Sequence, residues 1–182
     1  MSEWCLKYQV EIWAYCLMPN HDHLIAVPAV KEGLSLAIGE AHRRYTRQIN
    51  FREGWRGHLW QGRFSSFIME KRYLLACTRY VELNPVRAGL VKLPEEWFWS
   101  SAASHIKGKD DILVKTKPLL EMVNKPWKDF LTVDVHKPEI ELFRKHERTG
   151  RPLGVDSFIG KMESLLDRRL KPQKPGPKKK DK

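Results

Sequence analysis

The sequence predicts an α+β protein built on an antiparallel sheet, and three observations predict it. Apolar and polar residues alternate from Gln9 to Met18, and a second extended run follows the turn pair Pro19 and Asn20. Apolar residues then recur every three to four positions at Leu34, Ile38, Ala41, Tyr45 and Ile49. A second helical pattern, KRYLLACTRYVELNP, runs into a proline. The chain has 182 residues, 42% apolar and 30% charged, which is material for one core and an appendage and excludes wholesale disorder.

In chain order, Gln9 to Met18 is expected as a strand with Val10, Ile12, Ala14, Cys16 and Met18 on one face. His21 to Pro28 returns as its antiparallel partner. Leu34 to Asn50 reads as an amphipathic helix that leaves Arg43, Arg44 and Arg47 off its buried stripe. A loop rich in Gly and Trp, Arg52 to Gly62, leads to a strand-like segment from Arg63 to Glu70. The helix that begins at Lys71 ends near Asn84, because Pro85 lacks an N–H and pushes its predecessor out of the helical region.

Beyond that point the pattern is mostly helical. Pro118 and Pro138 suit the first turns of two helices, and Asp156 suits the cap of a third. The stripe Phe158, Ile159, Met162, Leu165, Leu166 and Leu170 is expected to be core. The end, KPQKPGPKKKDK, sets three prolines among lysines and reads as a flexible basic tail. The chain thus divides into residues 1–106, a helical region 107–170 and a tail 171–182.

Composition narrows the function classes. Cys5, Cys16 and Cys77 form no CxxC and leave one unpaired, which argues against a disulfide framework or a zinc knuckle and for a reduced, cytoplasmic chain. The longest apolar stretch, Leu24 to Val30, is interrupted by Pro28, and the first residues lack an apolar h-region, so neither membrane span nor signal peptide is expected. The formal charge of +11 sits in two blocks. His42 to Arg87 carries ten basic and three acidic residues, and Lys171 to Lys182 carries six lysines and one Asp. In the first block Arg43, Arg44, Arg47, Arg52, Arg56 and Arg63 interleave with Tyr45, Phe51, Trp55, Trp60 and Phe64. Guanidinium and ring together suit phosphates and unstacked bases, so nucleic acid outranks a membrane surface as partner.

Four residues could carry chemistry. His21 and His23, at i and i+2 of a strand, point to one face about 6.8 Å apart at Cα, close enough to share a metal ion. Taken alone, they read more readily as two surface histidines after a turn. Tyr80 and Asn84 lie four apart on one helix face. Taken alone, they read as a core aromatic and a helix terminus. Combined, two imidazoles and a carboxamide oxygen make an N₂O metal site with room for a phosphate oxygen. Attack by Tyr80 on phosphorus would then yield a phosphotyrosine that conserves the bond for rejoining.

At these residues the chain resembles the REP-associated tyrosine transposases, within the single-tyrosine HUH transposases of the IS200-like family. The matching stretches are YCLMPNHDHLI (Tyr15 to Ile25), GHLWQGRFSS (Gly57 to Ser66), YLLACTRYVELNPVRAGLV (Tyr73 to Val91), WFWSSAASH (Trp97 to His105) and TGRPLGVDSFIGKMESLLDRRL (Thr149 to Leu170). The resemblance implies a ferredoxin-like sandwich, with residues 1–106 as the catalytic domain, that cuts and rejoins single-stranded DNA beside a hairpin. It implies Tyr80 as nucleophile, His21, His23 and Asn84 as metal ligands, and Mg or Mn as the ion. Arg63, Arg79 and Arg87 are expected to bind DNA near the site, and Arg43, Arg44 and Arg47 along the first helix.

Two positions depart from the family pattern. Asp22 stands where a bulky apolar residue is usual, and a carboxylate there requires water or a local basic partner. The first strand also begins close to Met1, whereas the family carries a further strand and helix ahead of it, so an exposed sheet edge is expected beside the site. These departures motivate the alternative of a hairpin DNA or RNA binding protein without turnover.

Overall fold

The computed structural model describes residues 1–133 and 135–171, so all of the predicted basic tail except Lys171 lies outside the described residues. A short helix, α1 (Ser2–Lys7), with Glu3 in its first turn and Lys7 in its last, precedes the strands. The alternating runs form the expected antiparallel pair, β1 (Val10–Leu17) and β2 (Asp22–Pro28), with Val10 opposite Pro28 and Leu17 opposite Asp22. The register shifts between Ile12 and Ala14, leaving Trp13 as an extra residue on β1. This bulge corrects the single-face reading of the first strand. Val10 and Ile12 pack with Trp4, Ala37 and Ala41 on one side, whereas Ala14 and Cys16 pack with Leu74, Cys77 and Tyr80 on the other.

The far edge of β1 is not bare. Leu17 N–H donates to the Trp99 carbonyl at 2.8 Å, Ser101 N–H to the Tyr15 carbonyl at 3.0 Å, and Lys115 N–H to the Ile12 carbonyl at 2.8 Å. Isolated bridges at Ser100 and Val114 therefore take the place of the exposed edge that was expected. Residues 63–70 form no strand. Met69 makes a single parallel bridge to Leu153, too little pairing to propagate a ladder. The α+β class with an antiparallel sheet and a helical C-terminal region holds, on a sheet of two strands among the described residues.

Helices cover both faces of the strand pair. On one side lies α2 (Gly33–Glu53), which outruns its predicted span and stops at Gly54, whose φ of 66° lets its N–H close on the Asn50 carbonyl. On the other side lies α3 (Lys71–Glu82). Asn84 begins the next helical turn, α4 (Asn84–Arg87), with Pro85 in its first turn, so the proline ends one helix and starts another.

The remaining helices are α5 (Ala102–Lys107), α6 (Lys117–Leu120), α7 (Trp127–Leu131), α8 (Lys137–Thr149) and α9 (Asp156–Leu166). Pro118 and Pro138 occupy first turns as predicted. Asp156 does not cap α9: Val155 holds that position and Asp156 is the first helical residue. The α9 stripe is also not core. None of its residues is buried, and Leu165 is 75% exposed, because the described chain does not fold back over that face. The larger apolar cluster joins β1, β2 and α3 to Trp127, Phe130 and Phe143, so the helical region shares the core of the strands. Among the described residues no helix is long and apolar enough to cross a membrane.

Candidate active site

The turn after β1 closes with Met18 N–H on the His21 carbonyl at 2.8 Å, and β2 starts one residue later. Strand alternation then sends His21 and His23 to the α3 side, their ring centroids 4.9 Å apart. From the helical side, the Tyr80 ring lies 5.4 Å from that of His23, and Asn84 Nδ2 lies 3.3 Å from His21 Nε2. The four residues predicted as a site meet. Arg87 joins them, its guanidinium carbon 4.4 Å from the Tyr80 ring centre and its Nη2 donating to Asn84 Oδ1 at 3.2 Å. One turn of helix thus carries the amide and the charge that orients it.

The proton position on His21 follows from its partner. His21 Nδ1 sits 2.6 Å from Asn20 Oδ1, an acceptor, so Nδ1 carries the proton. Its Nε2 then holds a lone pair, which receives the Asn84 amide N–H. His23 Nδ1 faces the Glu147 carboxylate at 3.8 Å, an electrostatic contact longer than a hydrogen bond. Burial pushes the His23 pKa down to about 4, with His21 and Arg87 adding to the shift and Asp22 opposing it. The ring is neutral at neutral pH, the form that ligates metals.

Two imidazole lone pairs and an amide oxygen one rotation away make a donor set that a divalent cation accepts. Among the described residues no group of three or more His, Cys, Asp or Glu gathers, at this site or elsewhere, so a cation here would rest on the two imidazoles and the amide.

The other predicted residues lie apart from this centre. Asp22 points to the opposite face, where its Oδ2 lies 3.9 Å from Nε2 of His42, itself stacked on Trp60 at 3.9 Å. This is the local basic partner that the carboxylate required. On α2, Arg43 pairs with Glu40 at 2.5 Å, Arg44 lies over the Trp4 ring at 5.2 Å, and Arg47 is exposed. The strand pair stands between them and the Tyr80 ring. Arg79 leaves the site, its guanidinium 4.9 Å from the Phe130 ring beside an open cavity of about 340 Å³. Arg63 is exposed ahead of α3.

Sequence reasoning missed two neighbours from α8. The Phe143 ring packs 5.6 Å from Tyr80, and Glu147 faces His23. Phe143 is 2% exposed and seals the buried side of the phenol. Both lie about sixty residues or more from their contacts in sequence, and nothing in the local pattern of α8 distinguishes them from ordinary helix residues.

Fold and site together define an α+β protein in which a paired-histidine strand faces a tyrosine on a helix. Residues 1–84 match the family described as IS200-like transposases. A Haemophilus influenzae protein bearing the name REP-associated tyrosine transposase is 27% identical over 116 residues. That match covers 58% of this chain and 66% of the relative. No solved structure matches the chain.

Proposed function

We propose that the chain cleaves and rejoins single-stranded DNA at hairpin structures, with Tyr80 as nucleophile and with His21, His23 and Asn84 holding a Mg or Mn ion. The observation that carries this reading is the approach of the Tyr80 ring to the two imidazoles, 5.4 Å from His23. The family of residues 1–84 and the name of the Haemophilus influenzae relative support it. A bound divalent ion would supply Lewis-acid polarisation of the scissile phosphate.

The chain's own residues perform the rest. The Tyr80 phenol oxygen attacks phosphorus and gives up its proton, and the bond from phosphorus to the 3′ oxygen breaks. The products are a 5′-phosphotyrosine and a free 3′-hydroxyl. Rejoining reverses the exchange, with a 3′-hydroxyl displacing the tyrosine. Arg87 supplies positive charge beside the phenol and the phosphate. Asn84 turns its amide oxygen toward the imidazoles when its hydrogen bonds to Arg87 and His21 are exchanged. Arg43, Arg44, Arg47, Arg63 and Arg79 hold the DNA backbone outside the reacting centre, which fixes register and leaves the chemistry to Tyr80.

The experiment incubates the full chain with Mn(II) and hairpin-bearing single strands of varied sequence, followed by denaturing electrophoresis. A covalent protein–DNA adduct is expected, absent in Tyr80→Phe, with hairpin binding retained. An adduct that persists in Tyr80→Phe removes the assigned nucleophile. Salt-dependent binding with neither adduct nor cleavage indicates a binding protein without turnover.

A further inference from the structure

We infer that Glu82 is a positioning residue that sets the spacing between the helical half of the site and the histidine strand. The inference rests on the function proposed above and names the device that assembles its donor set. Glu82 lies two residues after Tyr80 and two before Asn84 and is 0% exposed. Three donors, two from α5 and its N-cap and one from α7, converge on its carboxylate. The Ser101 hydroxyl donates to Oε1 at 2.5 Å, His105 Nδ1 reaches the same oxygen at 2.6 Å, and Trp127 Nε1 donates to Oε2 at 2.8 Å. His105 and Trp127 stack at 4.4 Å and brace each other.

Ser101 carries the connection to the strands. Its hydroxyl oxygen accepts the Tyr15 N–H at 2.9 Å, and its own N–H donates to the Tyr15 carbonyl at 3.0 Å. Tyr15 pairs with Leu24 on β2, the residue next to His23. A path of directional bonds therefore runs from the helix that bears Tyr80, through Glu82 and Ser101, to the strand that bears the imidazoles.

An apolar side chain would fill the same volume, but it would leave the helix free to slide. A carboxylate removed from water is costly unless every donor is in place, so it enforces one arrangement. The His105 Nε2 is buried without a partner, so this ring is held inside for the bond that its other nitrogen makes. Partners hydrogen-bonded directly to a metal ligand change metal affinity by about 10–100-fold when removed; Glu82 bonds none of the three ligands and acts through the backbone between Tyr80 and Asn84, so the lower end of that range is expected.

The test compares wild type, Glu82→Gln and Ser101→Ala as full chains. The readouts are the thermal midpoint, Mn(II) affinity by electron paramagnetic resonance without DNA, and the single-turnover adduct rate at saturating hairpin DNA. Below its midpoint, Glu82→Gln is expected to bind Mn(II) about 10-fold or more weakly and to form adduct about 10-fold or more slowly. Its metal-free hairpin affinity should stay within about two-fold of wild type. Ser101→Ala, which cuts the path at the strand, is expected to show a smaller loss in the same two quantities and keeps the test open if Glu82→Gln does not fold.

A lowered midpoint with Mn(II) affinity and rate within about two-fold of wild type, in whichever variant folds, makes the network purely structural and overturns the inference. Adduct missing in the wild type overturns the strand-transfer reading alone, and the Mn(II) arm still decides the role of Glu82. Absence of Mn(II) binding by the wild type overturns both.

Discussion

The face of the β1 and β2 pair toward α3 and the face toward α2 are built from alternate residues of the same strands. On one, His23 is largely buried and held neutral beside Tyr80. On the other, one residue away, Asp22 meets His42 under a stacked Trp60. The difference teaches how a two-residue period separates roles: the groups proposed to react collect on the side closed by α3 and α8, and most of the basic helix lies one layer away. Exposed Tyr45, Phe51 and Trp55 accompany the α2 arginines, a surface suited to a strand's backbone and bases but out of reach of the phenol.

Arginine substitutions on the two faces test this comparison most strongly. Arg87→Gln removes the charge 4.4 Å from the Tyr80 ring and should slow adduct formation about 10-fold or more at saturating DNA. The pair Arg44→Gln and Arg47→Gln should instead weaken binding a few-fold, roughly, and flatten its salt dependence by about 0.7 per charge on a single strand. Its rate at saturation should match wild type. Single-turnover kinetics across a salt series separates the two outcomes, and a larger loss of rate from the α2 pair would break the comparison.

A separate effect, on stability and not on rate, distinguishes the faces by pH in the metal-free protein. The His23 pKa is about 4 in the fold against 6.5 ordinarily, so the unfolded chain binds the extra proton first. Its contribution is full above pH 6.5 and is lost as pH falls toward 4, a loss of about 3 kcal/mol. On the α2 side, burial pushes Asp111 up, but the Val114 and Leu113 N–H groups and the Tyr15 and Ser104 hydroxyls outweigh it and leave its carboxyl below 3.8. Its contribution is present above 3.8 and is lost only as pH falls through that lower value. Denaturant melts from pH 7 to 3 should lose stability first in the His23 window, and His23→Gln should remove that first loss. A His23→Gln variant that still loses stability between pH 6.5 and 4 contradicts the assignment.

Much of this was legible in the sequence because it rests on local rules. The period-two alternation and the Pro19 and Asn20 turn gave the hairpin, and Pro85 gave the end of α3. The i, i+2 and i, i+4 spacings put each pair of side chains on one face of its element, and only the family resemblance joined the two pairs into one site. The bulge at Trp13 was not legible, because one unpaired residue leaves the local alternation intact while exchanging the faces. The segment 63–70 has strand-like composition but no extended edge to join. Phe143, Glu147 and the donors to Glu82 come from distant helices, and no periodicity within α8 or α7 tells which of their residues will meet the site.

The central claim is that two imidazoles, one in the turn and one at the start of β2, face the same point as the helical tyrosine and amide. Pulsed electron paramagnetic resonance of Mn(II) bound to the full chain tests it directly, by reading nitrogen-14 couplings from coordinated imidazole. Couplings from two imidazoles are expected, reduced to one in His21→Ala and in His23→Ala and unaffected by Tyr80→Phe. Mn(II) bound with no imidazole coupling, or with couplings that survive both histidine substitutions, would contradict the account.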